Sequence, residues 1–186
     1  MTAVEGEHVS RDSAEYAEIV AEIFMETMRK SAGRLNCVDA DAEITPALME
    51  CLQYVYLHGA SPIREIAGGL EMSLSAASQL VERLVKKGMV TRSENEQDRR
   101  LTSIDLTEPG RDAVRQMRRR KSEWFDTILE AMPHSQRRAF REGLESFLKI
   151  ALSGEDNVDR ACVRCGMEHV AFCVVNKLKN KRIAAH

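Results

Sequence analysis

A chain of 186 residues can bury one substantial core with a small appendage. The formal charge is nearly balanced at −2, yet residues 1–60 hold eleven acidic and four basic side chains, whereas residues 83–121 hold twelve basic and six acidic ones. No apolar run approaches the roughly 20 residues of a membrane span, and the N-terminus lacks the pattern of a signal peptide. We therefore expect a cytoplasmic protein, no membrane partner, and a polyanion partner for the basic region.

The spacing of apolar residues predicts four helices in the first half of the chain. The first is expected over residues 13–33. A Thr-Pro pair opens the second over residues 45–58, and a Ser-Pro pair opens a short third one over residues 61–70. The fourth covers residues 73–87, with a serine cap at its start and a glycine after its end. Its inward face is expected to hold Ala77, Leu80, Val81, Leu84 and Val85.

The apolar period then changes to that of strands. Residues 89–92 and 101–106 read as two short strands around a polar connector. A Thr-Glu-Pro sequence opens a long helix over residues 107–132, and a last helix follows a proline and continues to Ala151. Residues 153–157 read as a linker to a cysteine-rich tail.

Two short helices, a tight turn and a hairpin are the element order of a winged helix-turn-helix, whose second helix fits the major groove of duplex DNA. Gln79 can form two hydrogen bonds with an adenine, and Ser73 lies where the helix dipole favours a phosphate. Arg99 and Arg100 at the hairpin tip can enter the minor groove. Alternatively, Ser73 is only a cap and the serines fill a solvated face. The outward face is expected to comprise Ser73, Ser75, Ser78, Gln79 and Glu82.

Residues 63–114, IREIAGGLEMSLSAASQLVERLVKKGMVTRSENEQDRRLTSIDLTEPGRDAV, resemble the MarR family of bacterial transcription regulators. The most specific parts are the run KKGMVTR, the motif DRR and the run LTEPG. In element order the resemblance extends over residues 13–152. It implies a homodimer in which the first helix and the last two helices interlock, while two winged lobes bind a pseudo-palindromic operator in double-stranded DNA.

The resemblance also assigns roles to individual residues. It implies that residues 73–87 are the recognition helix and that Arg99 or Arg100 is the wing arginine. Asp98 would brace the wing by pairing with a nearby arginine such as Arg92. The DNA-facing residues of the helix would be Ser75, Ser78, Gln79 and Arg83.

The sequence departs from the family pattern within the recognition helix. The family often has an arginine where Gln79 stands and a threonine where Ala76 stands, which leaves the operator sequence open. The family also often takes aromatic or phenolic effectors, so a small-molecule effector is a further expected partner.

The fold class expected from these features is mainly α, a winged helix-turn-helix with a helical dimerisation domain and a small cysteine-rich C-terminal extension. The expected divisions are an N-terminal arm and dimerisation helix (1–44), the DNA-binding domain (45–110), the C-terminal dimerisation helices (111–152) and a metal-binding tail (153–186).

The tail carries the pattern C-x2-C-x3-H-x3-C at Cys162, Cys165, His169 and Cys173. Steps of three and four residues place them on one face of a helix. A straight helix would spread them over about 16 Å, too far for one metal, and they would then form a small packing stripe. A bent tail, with a glycine after a C-x2-C knuckle and a helix that presents His169 and Cys173, would bring all four together.

Three thiolates and an imidazole form a closed tetrahedral zinc set, and an iron–sulfur cluster takes similar ligands. Because cytosolic thiols stay reduced, metal or redox chemistry is favoured over a structural disulfide. A bound metal or cluster is preferred to packing or free thiols and to a reversible disulfide switch, and zinc is preferred slightly to a cluster. A ligand can also come from Cys37, Cys51 or a second subunit. Loss of the metal would shift the two DNA lobes and make DNA binding metal- or redox-responsive.

The chain has no phosphate loop, no G-x-S-x-G motif and no recognisable catalytic spacing of Ser, His and Asp, so we expect that it is not an enzyme. The leading hypothesis is a dimeric DNA-binding repressor with a responsive metal site. Two alternatives stay open at this point. One is a sensor of small molecules whose metal is purely structural, and the other is a metal- or redox-handling protein that uses this scaffold without binding DNA.

Overall fold

The computed structural model describes residues 13–35, 44–94, 102–152 and 173–177. Within these ranges, no helix is both long and apolar enough to cross a membrane. The elements follow in the order α1 (Ala14–Leu35), α2 (Pro46–His58), β1 (Ser61–Pro62), α3 (Ile63–Gly69), α4 (Leu74–Lys86), β2 (Val90–Glu94), β3 (Thr102–Leu106), α5 (Glu108–Ala131) and α6 (His134–Ala151).

Local capping signals place most of these elements where the sequence predicts them. The hydroxyl of Thr45 accepts a hydrogen bond from the Leu48 amide at 3.4 Å, and Pro46 occupies the first turn of α2. The ends of α1, β2 and β3 differ from the predicted ones by one or two residues, which is the usual uncertainty of such boundaries. The mainly helical winged helix-turn-helix architecture is thereby confirmed.

The segment Ser61–Pro62 forms strand β1, whereas the sequence predicts it as the start of α3, so that prediction is wrong for these two residues. Ser61 pairs with Ile104 of β3 in an antiparallel register, and the sheet order is β1-β3-β2. The buried Ser61 hydroxyl donates to the Gly59 carbonyl oxygen at 3.0 Å. A strand of two residues is too short to show an alternating pattern, and the contact with β3 determines its conformation.

The lobe formed by α2, α3, α4 and the sheet has one continuous apolar core. Leu48, Leu52, Ile66, Leu84 and Ile104 are fully buried in it. Burial of one such side chain stabilises the fold by about 1.5–3 kcal/mol, so the core holds α4 firmly in place. The first half of α5 completes this core with Ala113, Val114 and Met117.

The inward face of α4 agrees with the prediction at three of its positions. Ala77, Val81 and Leu84 are buried and Leu80 is half-buried. Val85 is 38% exposed, so its predicted inward position is wrong. At about 100° per residue, Val85 lies roughly 80° around the helix from Ala77, at the edge of the buried face.

Two backbone constraints fix the turn between α3 and α4. A Cβ atom at Gly69 would overlap the ring of Tyr54, so glycine allows α3 to lie close to α2. Glu71 adopts a φ of 53°, in the left-handed region that costs an ordinary residue about 1–2 kcal/mol. The Met72 amide donates to the Ala67 carbonyl oxygen at 2.9 Å and closes the end of α3. The angle at which the chain enters α4 is therefore well defined.

Thr107 caps α5, as the sequence predicts, and also joins α5 to the end of α4. Its hydroxyl accepts a hydrogen bond from the Gly110 amide at 3.2 Å and donates one to the Gly88 carbonyl oxygen at 2.7 Å. The Thr107 amide donates to the Met89 carbonyl oxygen at 3.0 Å. A Cβ atom at Gly110 would collide with that same carbonyl. The start of α5 therefore lies directly against the segment that leaves α4.

The long helices α1, α5 and α6 extend beyond the lobe and leave large apolar side chains uncovered. Phe24 of α1 and Phe140 of α6 meet edge to face with ring centroids 6.2 Å apart. Ile23 is 62% exposed, Phe147 67% and Ile150 73%. No residue of α6 is buried within the chain.

In the described part of the tail, residues 174–177 form one helical turn, and Lys177 contacts α6. The Lys177 amide donates to the Cys173 carbonyl oxygen at 2.9 Å, while Cys173 itself is not helical. Val175 is 8% exposed, and the Lys177 ammonium lies 3.5 Å from a carboxylate oxygen of Glu145 in α6. Residues 162–172 lie outside the described ranges, so both the packing-stripe and the bent-tail interpretation stay predictions.

Candidate nucleic-acid interface

The N-terminus of α4 begins at Ser73, which is exposed and extended. Its hydroxyl oxygen accepts a hydrogen bond from the Ala76 amide at 3.1 Å. The capping interpretation is therefore confirmed. The hydroxyl proton remains available for donation to a phosphate oxygen, so a cap and a phosphate contact are compatible, and the second stays a prediction.

The outward face of α4 carries polar side chains that are available to a partner. Ser75, Gln79 and Arg83 are exposed. None of these three side chains forms a hydrogen bond or ion pair with another residue in the part of the chain that the structure describes. Such side chains can meet a base or a phosphate without first breaking an intramolecular contact.

Ser78 differs from the other serines because its hydroxyl is already engaged. It is half-buried and donates to the Leu74 carbonyl oxygen at 2.8 Å. While this bond persists, the oxygen can only accept a further hydrogen bond. A phosphate has no proton to offer at neutral pH, so Ser78 is suited to the exocyclic amino group of an adenine or a cytosine.

Exposed cations surround this polar face. Arg83, Lys86 and Lys87 lie on or directly after the last turn of α4, and Arg92 lies on β2. The acidic residue of α4 is Glu82, whose carboxylate oxygen lies 3.0 Å from the Lys86 ammonium. The pKa of Glu82 is lowered, first by the hydrogen bond from Lys86 and also by its charge and that of Arg92. The carboxylate is therefore ionised at neutral pH.

The tip of the predicted wing lies outside the described residues. This applies to Asp98, Arg99 and Arg100. Arg92 is placed on β2, opposite Ile104 of β3. The proposed Asp98–Arg92 brace and the minor-groove role of the arginines therefore stay predictions.

An ion pair that the sequence analysis missed braces the base of the wing. A guanidinium nitrogen of Arg111 in α5 lies 3.1 Å from a carboxylate oxygen of Asp105 in β3. The same oxygen accepts a hydrogen bond from the Leu106 amide at 2.7 Å. Asp105 precedes the N-cap residue Thr107 and Arg111 follows it in the first turn of α5. This placement of opposite charges around a helix cap is the sequence signal that could have identified the pair.

Three of the four predicted metal ligands, Cys162, Cys165 and His169, lie outside the described residues, as does Cys37. Cys173 is described and half-buried. Cys51 is fully buried in the lobe core, and burial raises the pKa of its thiol to about 12. A fully buried thiol with a raised pKa is a poor metal ligand unless the metal itself removes the proton, and the suggestion that Cys51 is a ligand stays a prediction.

These features define a winged helix-turn-helix protein. It consists of the packed helix pair α3 and α4, the three-stranded sheet and the flanking long helices. Residues 44–102 match the sequence model of the MarR family. The similarity to that family thus covers residues 44–102, from the start of α2 to the start of β3.

Individual proteins are similar to this chain in sequence or in fold. The chain is 32% identical over 89 residues to the HTH-type transcriptional regulator YwhA of Bacillus subtilis. This alignment covers 48% of this chain and 64% of YwhA. The alignment thus spans less than two thirds of the relative. The crystal structure of RV1404 from Mycobacterium tuberculosis has a TM-score of 0.69 at 22% identity, covering 77% of this chain and 97% of RV1404. Streptococcus pneumoniae FabT in complex with DNA has a TM-score of 0.59 at 20% identity, covering 74% of this chain and 95% of FabT.

The confirmed cap generates a stability prediction. Replacement of Ser73 by alanine leaves the Ala76 amide without its acceptor and should lower the free energy of unfolding by about 1 kcal/mol. Urea unfolding followed by circular dichroism measures this loss. Ser75→Ala is the matched control, since Ser75 is exposed and has no partner within the described chain, and it should change stability by less than about 0.5 kcal/mol. Equal losses for both variants would contradict the capping role.

Proposed function

We propose that this chain is a transcription regulator that binds double-stranded DNA as a homodimer on a pseudo-palindromic operator and acts as a repressor, without catalysing a reaction. The observation that carries this proposal is the free polar face of Ser75, Gln79 and Arg83 on a helix held rigidly by the lobe core. A dimer that occupies a promoter obstructs polymerase, which is the basis for repression. This role places the protein in the cytoplasm, together with the chromosome.

The N-terminal part of α4 is the part that would enter the major groove. In winged and related helix-turn-helix proteins, residues near the start of the recognition helix meet the base edges in the major groove. Ser75 and Gln79 occupy the first and second turns of α4, and Arg83, Lys86 and Lys87 follow towards its end. Gln79 would hydrogen-bond an adenine, Ser78 would accept from a base amino group, and the cations would neutralise phosphates.

The uncovered apolar surface of the long helices supports the homodimer. Ile23 on α1 and Phe147 and Ile150 on α6 are large apolar residues that remain more than half exposed. Soluble proteins rarely leave contiguous apolar surface in water, and such surface usually marks an interface. In a twofold dimer the same surface of each subunit would bury that of the other.

The DNA-binding proposal predicts a specific loss for Gln79→Ala. The variant should lose about 1–3 kcal/mol of discrimination between an operator duplex and a random duplex, since its two hydrogen bonds to a base are gone. Fluorescence anisotropy with duplexes from the region upstream of its own gene, at several salt concentrations, measures both affinities.

The control for this experiment is Gln136→Ala, an exposed glutamine near the start of α6 and outside the lobe. It should leave both affinities unchanged. A wild-type protein that binds the upstream duplex no better than random DNA, or whose affinity does not depend on salt, would contradict the proposal.

We also propose that the tail binds a metal through Cys162, Cys165, His169 and Cys173, with zinc preferred to an iron–sulfur cluster. The donor set is what supports this, since three thiolates and one imidazole close a tetrahedral site. Support for an effect on the dimer comes from the 3.5 Å pair between Lys177 and Glu145, which links the turn after Cys173 to α6. A metal bound here would thus act on the proposed dimer helices.

This second proposal predicts about one zinc ion or one cluster per chain in protein purified without oxygen. Elemental analysis for zinc, iron and acid-labile sulfide measures the content. Cys162→Ser should lose most of the metal because a thiolate is removed. Cys51→Ala should retain it, since Cys51 is buried in the lobe. Metal-free wild-type protein, or equal content in Cys162→Ser and wild type, would contradict this role.

A further inference from the structure

Glu82 lies at the centre of the polar face on α4. With about 100° between successive residues, Ser75, Gln79, Glu82 and Lys86 fall within roughly 60° of one another around the helix axis. Glu82 is exposed, as are the other three residues. A carboxylate therefore occupies the middle of a surface that otherwise suits a polyanion.

The carboxylate is engaged with the cations that would meet phosphates. One Glu82 oxygen lies 3.0 Å from the Lys86 ammonium, and the side chains of the two residues are 58% and 73% exposed. Arg92 on β2 also interacts with this carboxylate through its charge. Glu82 thus partly neutralises Lys86 on α4, and Arg92 on the wing strand β2 is a more distant cation.

The position of Glu82 along the helix argues against a base contact. It lies eight residues after the first residue of α4, a rise of about 12 Å. Base edges are met mainly by the N-terminal part of a recognition helix. Further along, the helix approaches the phosphate backbone, where a negative charge is repelled.

We propose that Glu82 limits the affinity of the recognition surface for duplex DNA by holding Lys86 and by repelling phosphate. Tight binding then depends on the base contacts of Ser75 and Gln79. This inference rests on the proposed DNA-binding function, and it adds a residue that sets affinity without reading sequence.

The test is Glu82→Gln, an exposed and nearly isosteric change that should leave the fold intact. Its affinity for both the operator and a random duplex should rise by a similar factor. The plot of log affinity against log salt should steepen by about 0.9 for each additional phosphate that the variant neutralises. The same substitution made in a Lys86→Gln protein should give a smaller rise in affinity.

Glu142→Gln is the matched control. Glu142 on α6 forms a similar exposed pair with Arg138 at 2.8 Å, away from α4, and its loss should leave DNA affinity unchanged. A loss of operator binding alone in Glu82→Gln would overturn the inference, because Glu82 would then read a base amino group. If the wild type binds DNA, an unchanged affinity of Glu82→Gln for both duplexes would also overturn the inference. A wild type without salt-dependent binding would overturn the DNA-binding function as well.

Discussion

The hydrogen bonds of Thr107 connect the parts of this molecule on which the functional account depends. The Thr107 hydroxyl accepts a hydrogen bond from the Gly110 amide at the start of α5 and donates one to the Gly88 carbonyl oxygen after α4. Since α5 enters the lobe core through Val114 and Met117, the long helix and the recognition helix form one mechanical unit. A change in the angle of α5 would therefore carry α4 with it, which the proposed regulator needs if events at its proposed dimer helices are to alter DNA binding.

Features encoded by neighbouring residues could be predicted from the sequence. The starts of α2, α4 and α5 follow from Thr45, Ser73 and Thr107, because a cap bonds to an amide three residues later and needs no tertiary partner. Strand β1 could not be predicted, since Ser61 is extended by its pairing with Ile104, more than forty residues away. Val85 was misassigned because periodicity does not show how wide the buried face of α4 is.

The candidate site shows the same limit at the level of single hydrogen bonds. Sequence reasoning places Ser75, Ser78 and Gln79 on one helix and predicts that they face outwards. It does not show that the Ser78 proton is committed to the Leu74 carbonyl, nor that Glu82 holds Lys86. Both depend on rotamers set by the folded surface, and both change what the surface can recognise. On the proposed DNA-binding face, the Ser78 hydroxyl can therefore only accept a further hydrogen bond, and the Lys86 ammonium is already paired with Glu82.

The central claim is that two such lobes in one dimer read a symmetric DNA site, and selection from a pool of random duplexes tests it most directly. Repeated rounds of binding to the full-length protein, followed by sequencing, should enrich an inverted repeat with half-site centres roughly 10 base pairs apart, one helical turn. Each half-site should contain an adenine at the position that Gln79 reads. A pool that shows no enrichment, or that enriches a single unpaired half-site, would contradict the account.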